Sequence, residues 1–344
     1  MNGVVSRPVK RLSKLVMLAV VLSTLALFYL QIYFQTPLAP DAEEQIVTIA
    51  AGSSLRQIAD GLADHDLIRH RTMFIAYVKW WHPGPHLQAG EYALRASMSP
   101  KQIVEILRQG KVQHYSLTIP EGLTAREIAA IIAEQKFGDA ATIHTLISDP
   151  AFIASLNLEA PSLEGYLFPD TYHLPRSVSE TALLTLMVNT LRMHYTDEIA
   201  ASAEQLGLTQ HEVLTLASLI EKEAKVDDER PLISAVYHNR LRKGMRLQCD
   251  PTVIYALGEH FDGNIRKQDL YLDSPYNTYR YAGLPPGPIA NAGRRSLEAA
   301  VNPAPSDYLY FVATGSAGQH KFSRTLHEHN QAVQQYLHKL QSQH

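Results

Sequence analysis

The chain has 344 residues, of which 46% are hydrophobic and 19% charged, and it carries a formal net charge of -3. Its length admits more than one domain, and its near-neutral balance excludes the clustered surplus of Lys and Arg that gripping a nucleic-acid backbone requires. Its one cysteine, Cys249, excludes an internal disulfide, so an exported fold would rest on its apolar core alone. Set in RLQCDPTV with no base beside it in sequence, Cys249 reads as a small packed residue.

From the N-terminus, Leu15 to Phe34 (LVMLAVVLSTLALFYLQIYF) is a run of 20 residues without a charge, about the helix length that crosses a ~30 Å hydrocarbon layer. Arg7, Lys10, Arg11 and Lys14 precede it, and Asp41, Glu43 and Glu44 follow. The positive-inside rule therefore leaves residues 1–14 in the cytoplasm and exports everything beyond the run. A signal-peptide core is shorter, ~7–15 residues, and no clear A-x-A cleavage site follows. Residues 15–34 are thus expected to be an uncleaved single-pass anchor in the cytoplasmic (inner) membrane, with the bulk of the chain on its outer side.

Beyond the anchor the chain repeats itself. Val47 to Ala63 (VTIAAGSSLRQIADGLA) matches Leu117 to Ala133 (LTIPEGLTAREIAAIIA) at a constant offset of 70, aligning Ile49 with Ile119, Gly52 with Gly122, Ile58 with Ile128 and Ala59 with Ala129. Both copies predict a short strand, a turn at glycine and a helix. After the first copy, Glu91 to Leu94 predicts a strand, and Ser99-Pro100 opens a helix with an Ile103, Ile106, Leu107 stripe that Gly110 stops. Strand, helix, helix, strand over roughly Val47 to Leu94 resembles a LysM module, a small domain that binds N-acetylglucosamine-containing glycans, although the turn lacks the Asp often found there. The expected layout is a LysM-like module over 45–112 and a second small α/β unit over 113–160. The remainder, 161–344, would be a mainly helical domain with a few strands such as YLYFV, and the fold class overall α+β.

In that last region, aromatic and proline-rich pieces (LEGYLFPDTYHLP, SPYNTYRYAGLPPGPIANAG) alternate with strong helical patterns; ordered loops of this kind are where substrate contacts concentrate. Val213, Leu216, Ala217, Ile220 and Ala224 recur at helical spacing, so Glu212 to Lys225 is expected to be a helix with one buried face. It ends in Glu221-Lys222-Glu223. Asp227 or Asp228 can cap a following helix that tolerates Pro231 early and runs to Gly244. The two glutamates stand roughly 200° apart around the helix, and each lies roughly 80° from the centre of the apolar stripe. They cannot flank one bond together, and position does not choose between them. A carboxyl at the margin of an apolar face has its pKa raised by partial burial and can act as an acid. Glycoside hydrolysis normally takes two carboxylates, so a site using one needs a substrate that supplies its own nucleophile. On the residues alone, a solvated and salt-bridged helix end is the simpler account.

The surrounding sequence changes that balance. LASLIEKEAKVDDERPLISAVYHNRLRKGMRLQCDPTVIYALG, YNTYRYAGLPPGPIANAGRRSLEAAVNP, YLYFVA, HKFSRTLHEHN and, upstream, EGYLFPDTY resemble the YceG-like family of endolytic murein transglycosylases, in the family's order, over about Val47 to Leu340. The resemblance implies cleavage of peptidoglycan glycan strands at the bond from N-acetylmuramic acid to N-acetylglucosamine, without water. The muramic 6-hydroxyl attacks its own anomeric carbon and leaves a 1,6-anhydro end, and one glutamate suffices as acid and base. Lytic transglycosylases place that glutamate before a small residue on a helix. This points to Glu223, followed by Ala224, with Glu221 as the alternative. Glu164 is a supporting candidate that would orient the acid. Gln248, Asp250, Tyr276, Asn277 and Thr278 are candidates for hydrogen bonds to the sugar, and Tyr166 and Tyr172 for stacking on it. Each is equally readable as a satisfied structural group. Where the family often has RLQTDPTV, this chain has Cys249, so no hydroxyl contact is expected there. Implied partners are glycan strands, peptidoglycan synthases and the membrane. A non-catalytic wall-binding scaffold for synthases is the competing reading. No cofactor is expected, and no metal: neither His82/His86 nor His327/His329 has H-E-x-x-H spacing.

Overall fold

The computed structural model describes residues 7–81, 87–315 and 318–341; His82 and His86 lie outside them. The architecture is mixed and helix-rich, with three two-stranded sheets among the described residues. Contacts divide the chain into two compact units: one runs up to Tyr115 and includes His173–Ser177, and the other comprises Ser116–Tyr172 and the chain from Val178 onward.

The first unit begins with α1 (Arg7–Gln35), which contains a 24-residue apolar span, Leu12–Gln35, whose most apolar stretch has a mean hydropathy of 2.3 and is not buried inside the protein. By length and composition it is able to cross a membrane. Its last turn is different: Phe34 is buried among the residues of the following module. That module is β1 (Glu44–Ile49), α2 (Leu55–Asp64), α3 (Arg71–Trp81), β2 (Gly90–Arg95) and α4 (Pro100–Gln109). β1 and β2 pair antiparallel, with Val47 opposite Tyr92. The core beneath them is Leu62, Leu67, Phe74, Tyr92, Leu94, Ile103 and Leu107. The strand, helix, helix, strand order is therefore present. In α4, Ser99 caps, Pro100 sits in the first turn and Gly110 closes the helix in the left-handed region at φ 64°. Val104, rather than Ile106, completes its buried stripe with Ile103 and Leu107.

The second unit opens with the repeat. β3 (Tyr115–Thr118) leads through a turn to α5 (Ala125–Glu134), as β1 leads to α2. Gly52 and Gly122 both take positive φ, 78° and 76°, where only glycine avoids the Cβ penalty. Ser54 and Thr124 both make capping boxes, with Gln57 and Glu127. Thus the offset of 70 marks one local device used twice. α6 (Ala140–Ile147), α7 (Pro150–Ser155), β4 (Thr171–Leu174, paired with β3), α8 (Glu180–His194) and α9 (Asp197–Leu206) follow.

At the centre of this unit lies α10 (Gln210–Glu223), capped by Thr209 with Glu212. Every residue from Val213 to Leu219, and Ile220 after it, is buried. The single apolar stripe expected from sequence is thus an underestimate: α9, α11 (Arg230–Arg242), α12 (Asp250–Leu257) and α13 (Arg294–Val301) cover the helix on several sides. Small or hydroxylated residues fit between them because they satisfy themselves; Thr215 donates to the His211 carbonyl at 2.7 Å and Ser218 to the Thr215 carbonyl at 2.7 Å. A hairpin, β5 (Tyr310–Ala313) with β6 (His320–Ser323), and α14 (Leu326–Gln341) complete the unit.

Candidate active site

Helix α10 stops at Glu223 because Ala224 turns extended, at φ -74° and ψ 116°. The two glutamates at its end then part company. Glu221 turns inward to Arg230, whose Nη2 donates to its Oε1 at 3.0 Å, and its Oε2 accepts from the Gly293 backbone N–H at 3.1 Å. Both side chains of this ion pair are about nine-tenths buried, at 7% and 8% exposed. Arg230 also donates to Ser296 Oγ at 2.9 Å and pairs with Asp227. Asp227 is thereby committed to Arg230 and Arg295 and makes no side-chain cap for α11. Glu221 is a clasp between α10 and the first turn of α13.

Glu223 points elsewhere. It lines a cavity of about 390 Å³ together with Arg240, Gln248, Asp250, Tyr279, His320 and His329, room enough for a small ligand. Residue Glu223 keeps surface open to this cavity, while its carboxyl is backed by two buried residues, Cys249 and Tyr237. The Cys249 thiol donates to Glu223 Oε1 at 3.4 Å. The Tyr237 hydroxyl is buried beside Glu223 and Cys249, without a partner at normal hydrogen-bond geometry among the described residues. Burial, reinforced by the Asp250 charge, pushes the Glu223 pKa up to about 7, against the smaller opposing pull of Cys249, Tyr237 and Lys225. At neutral pH the group is therefore divided between acid and base forms.

The far wall of this cavity comes from the hairpin and α14. His320 donates its backbone N–H to Glu229 Oε1 at 2.9 Å and sets Nδ1 2.7 Å from Oε2. The His329 ring stacks on Tyr310 at 5.2 Å, and its pKa is lowered by burial and by Arg240. Arg240 is fixed by backbone carbonyls, donating to Leu309 at 2.6 Å and Leu247 at 2.8 Å. Tyr279 donates its hydroxyl to Asp250. Sequence reasoning missed Tyr237, Tyr279, Arg240 and His320; the signal available was the dense Tyr and Arg content of motifs that were already in view.

Of the candidate sugar contacts, Gln248 and Asp250 line this cavity. Gln248 is held at φ 49°, a left-handed conformation uncommon outside glycine. The others turn inward. Thr278 accepts from the Cys249 backbone N–H at 3.0 Å and lies 2.9 Å from the Thr252 hydroxyl, pinning the chain under the cavity floor. Asn277 is fully buried and donates to the carbonyls of Leu270 and Leu272. Tyr166 is 4% exposed with its hydroxyl 2.9 Å from His211 Nδ1, and Tyr172 is 5% exposed and donates to the Phe168 carbonyl. Neither ring offers a face for a sugar. Tyr276 packs on Tyr255, with ring centroids 4.9 Å apart.

Glu164 stands at separate cavities, of about 480 and 460 Å³, shared with Tyr255. Burial raises its pKa to about 7 as well. Its oxygens are already engaged: Oε1 accepts from the Ala125 N–H at 3.0 Å and Asn291 Nδ2 at 3.1 Å, and Oε2 from the Tyr255 hydroxyl at 3.4 Å. No hydrogen bond joins it to Glu223 among the described residues. Glu164 holds the N-terminus of α5, whereas Glu223 lines the cavity with only the weak Cys249 thiol as donor among the described residues. A further depression, of about 850 Å³, has Asp227, Arg230, Arg294, Arg295 and Glu298 in its lining. Those five charges pair with one another or with Glu221. Among the described residues no group of three or more His, Cys, Asp or Glu is arranged to hold a metal; His327 Nε2 lies 3.0 Å from Gln331, apart from His329 and its Tyr310 contact.

Comparison with known proteins adds the following. The sequence profile of the YceG-like family matches residues 47–335. An endolytic murein transglycosylase of Bacillus subtilis is 38% identical over 319 residues, covering 88% of this chain and 87% of that protein. An endolytic murein transglycosylase of Streptococcus pneumoniae is 30% identical over 325 residues, covering 85% of this chain but 58% of the longer relative. A crystal structure of a yceG-like protein from Listeria monocytogenes, 40% identical, superposes with a TM-score of 0.58 over 85% of this chain and 99% of that one.

Proposed function

The chain belongs to the YceG-like family, and from that membership and the cavity at Glu223 we propose a membrane-anchored, endolytic peptidoglycan lytic transglycosylase. Protonated Glu223 donates its proton to the glycosidic oxygen as the bond from the muramic C1 to that oxygen breaks. The carboxylate so formed takes the proton of the same sugar's 6-hydroxyl while its oxygen bonds to C1. The products are a 1,6-anhydro-muramic end and an N-acetylglucosamine 4-hydroxyl; Glu223 is protonated again and no water is consumed. Gln248, Asp250 and the Tyr279 hydroxyl line the same cavity, where they can hydrogen-bond the sugar.

The single observation that carries this reading is the contrast between two glutamates two residues apart: Glu221 is committed to Arg230 and Gly293, and Glu223 is open to a cavity with a pKa near 7. In this reading residues 161–344 carry the chemistry, 113–160 support them, and the LysM-like module over 45–112 contacts the glycan. The anchor keeps the enzyme at the outer face of the cytoplasmic membrane, near the synthases that make its substrate, so it cuts and terminates nascent strands.

The test is digestion of purified glycan strands in 18O-labelled water, followed by mass spectrometry. Anhydro ends free of label are expected, and Glu223→Gln should lower their rate by about 10²–10⁴-fold. Labelled reducing ends, or full activity in Glu223→Gln, would overturn the mechanism. A folded chain inert on every strand would favour the scaffold.

A further inference from the structure

The chain contains two tryptophans, and both sit side by side at the end of α3, Trp80 at 81% and Trp81 at 54% exposed. Large indoles left in water are costly, since each fully buried aromatic side chain gains ~1.5–3 kcal/mol over exposure. Adjacent exposure of this kind marks an interaction surface.

Ring contacts tie the pair to the outer end of the apolar span. Phe34, in the last turn of α1, stacks on Tyr77 with centroids 4.1 Å apart, and Tyr77 stacks on Trp81 at 5.6 Å. The neighbouring Tyr33 stacks on His70 at 5.7 Å and accepts its backbone N–H at 3.0 Å. Successive residues of α1, only ~1.5 Å apart along its axis, are therefore met by His70 and Tyr77, which stand ~10 Å apart along α3. The two contacts fix α3 to the last turn of α1. Trp80 and Trp81 thus stay at the level where the span ends. Arg69, beside Tyr29 and Tyr33, and Lys79, in the last turn of α3, occupy the same end of the unit. Indole and tyrosine rings with Lys and Arg at the termini of a span are the composition that the membrane–water interface selects.

Resting on the reading that α1 crosses the bilayer, we infer that Trp80 and Trp81 insert into the headgroup region of the outer leaflet and seat the first unit on the membrane. The occupant of this surface is lipid from the same bilayer that α1 enters. Because these are the chain's two tryptophans, intrinsic fluorescence reports on this surface alone. The full chain is reconstituted into phosphatidylethanolamine/phosphatidylglycerol nanodiscs, with lipids brominated either near the headgroup or near the acyl-chain end. Strong quenching by shallow bromines, weak quenching by deep ones and protection from aqueous iodide are expected, and Trp80→Phe and Trp81→Phe should each retain part of the quenching. Full iodide access with no quenching by either lipid would overturn the inference. Nanodisc co-elution separates the two levels: a chain that does not co-elute refutes the spanning helix, whereas one that co-elutes with unquenched tryptophans refutes only the surface.

Discussion

Two residues apart on one helix, Glu221 and Glu223 illustrate how little of a side chain's chemistry resides in its own position. What distinguishes them lies opposite: Arg230 and Gly293 for one, Cys249 and Tyr237 for the other. For Glu223 the stability consequence has a definite sign. Its folded pKa, about 7, stands above the unfolded value of 4.5, so between those values the native state binds more protons than the unfolded state. Stability is then greatest below the unfolded pKa and falls as pH rises through about 7. Glu164, also raised to about 7, acts in the same direction. Thermal melts from about pH 4 to about pH 8 should show this decline, and Glu223→Gln should remove its share of the slope; an unchanged slope would contradict the assigned pKa. Cys249 offers a finer test. Its thiol hydrogen bond favours the charged carboxylate and so lowers the Glu223 pKa. Cys249→Ala should move the alkaline limb of the pH–rate profile to higher pH while activity at low pH is retained, a split that simple loss of packing would not produce.

At the scale of elements, the features legible in the sequence are those whose cause is local. Gly52 and Gly122 answer a turn with positive φ, Ser54 and Thr124 a capping requirement, and Pro100 with Gly110 the two ends of α4; each is decided within a few residues. The apolar run of α1 is legible for the same reason. The inward turn of Tyr166, Tyr172, Asn277 and Thr278 is not, because a polar atom in a Tyr-rich loop looks the same whether it awaits a sugar or a distant carbonyl. The far wall of the cavity is equally silent, since His320 reaches it through a partner, Glu229, 91 residues away in sequence. The clasp between α10 and α13 provides the element-scale prediction. Removing one member of a buried ion pair strands the other, at a cost of ~3–5 kcal/mol. Glu221→Ala leaves Arg230 Nη2 and the Gly293 N–H without an acceptor while Arg230 keeps Asp227 and Ser296, so part of that cost applies and its denaturant midpoint should fall more than that of Glu223→Gln. Equal midpoints would mean that Glu221 is not the structural member of the pair.

For the molecule as a whole, on the proposed reading that α1 crosses the membrane, the apolar helix is more than a tether. Its final turn belongs to the first unit's core: Phe34 is 4% exposed and stacked on Tyr77, and just beyond it the Leu38 and Ala39 N–H groups donate to the Ala96 carbonyl at 3.0 Å. A soluble chain beginning at Glu44 would forfeit these contacts and uncover Tyr77, losing roughly 1.5–3 kcal/mol from Phe34 alone. One beginning at Gln31 would keep them. Comparing the two isolates the two roles of α1. The Gln31 chain should cleave purified strands in solution as fast as the full chain, because the cavity residues from Glu223 to His329 lie wholly in the second unit. It should nonetheless fail to shorten strands emerging from membrane-embedded synthases, since untethering removes the high effective concentration, up to about millimolar, that confinement supplies. The Glu44 chain should show the same catalysis with a lower melting transition for the first unit. If the Gln31 chain restored strand length in cells as well as the anchored form does, confinement at the membrane would have no part in how this enzyme selects its substrate.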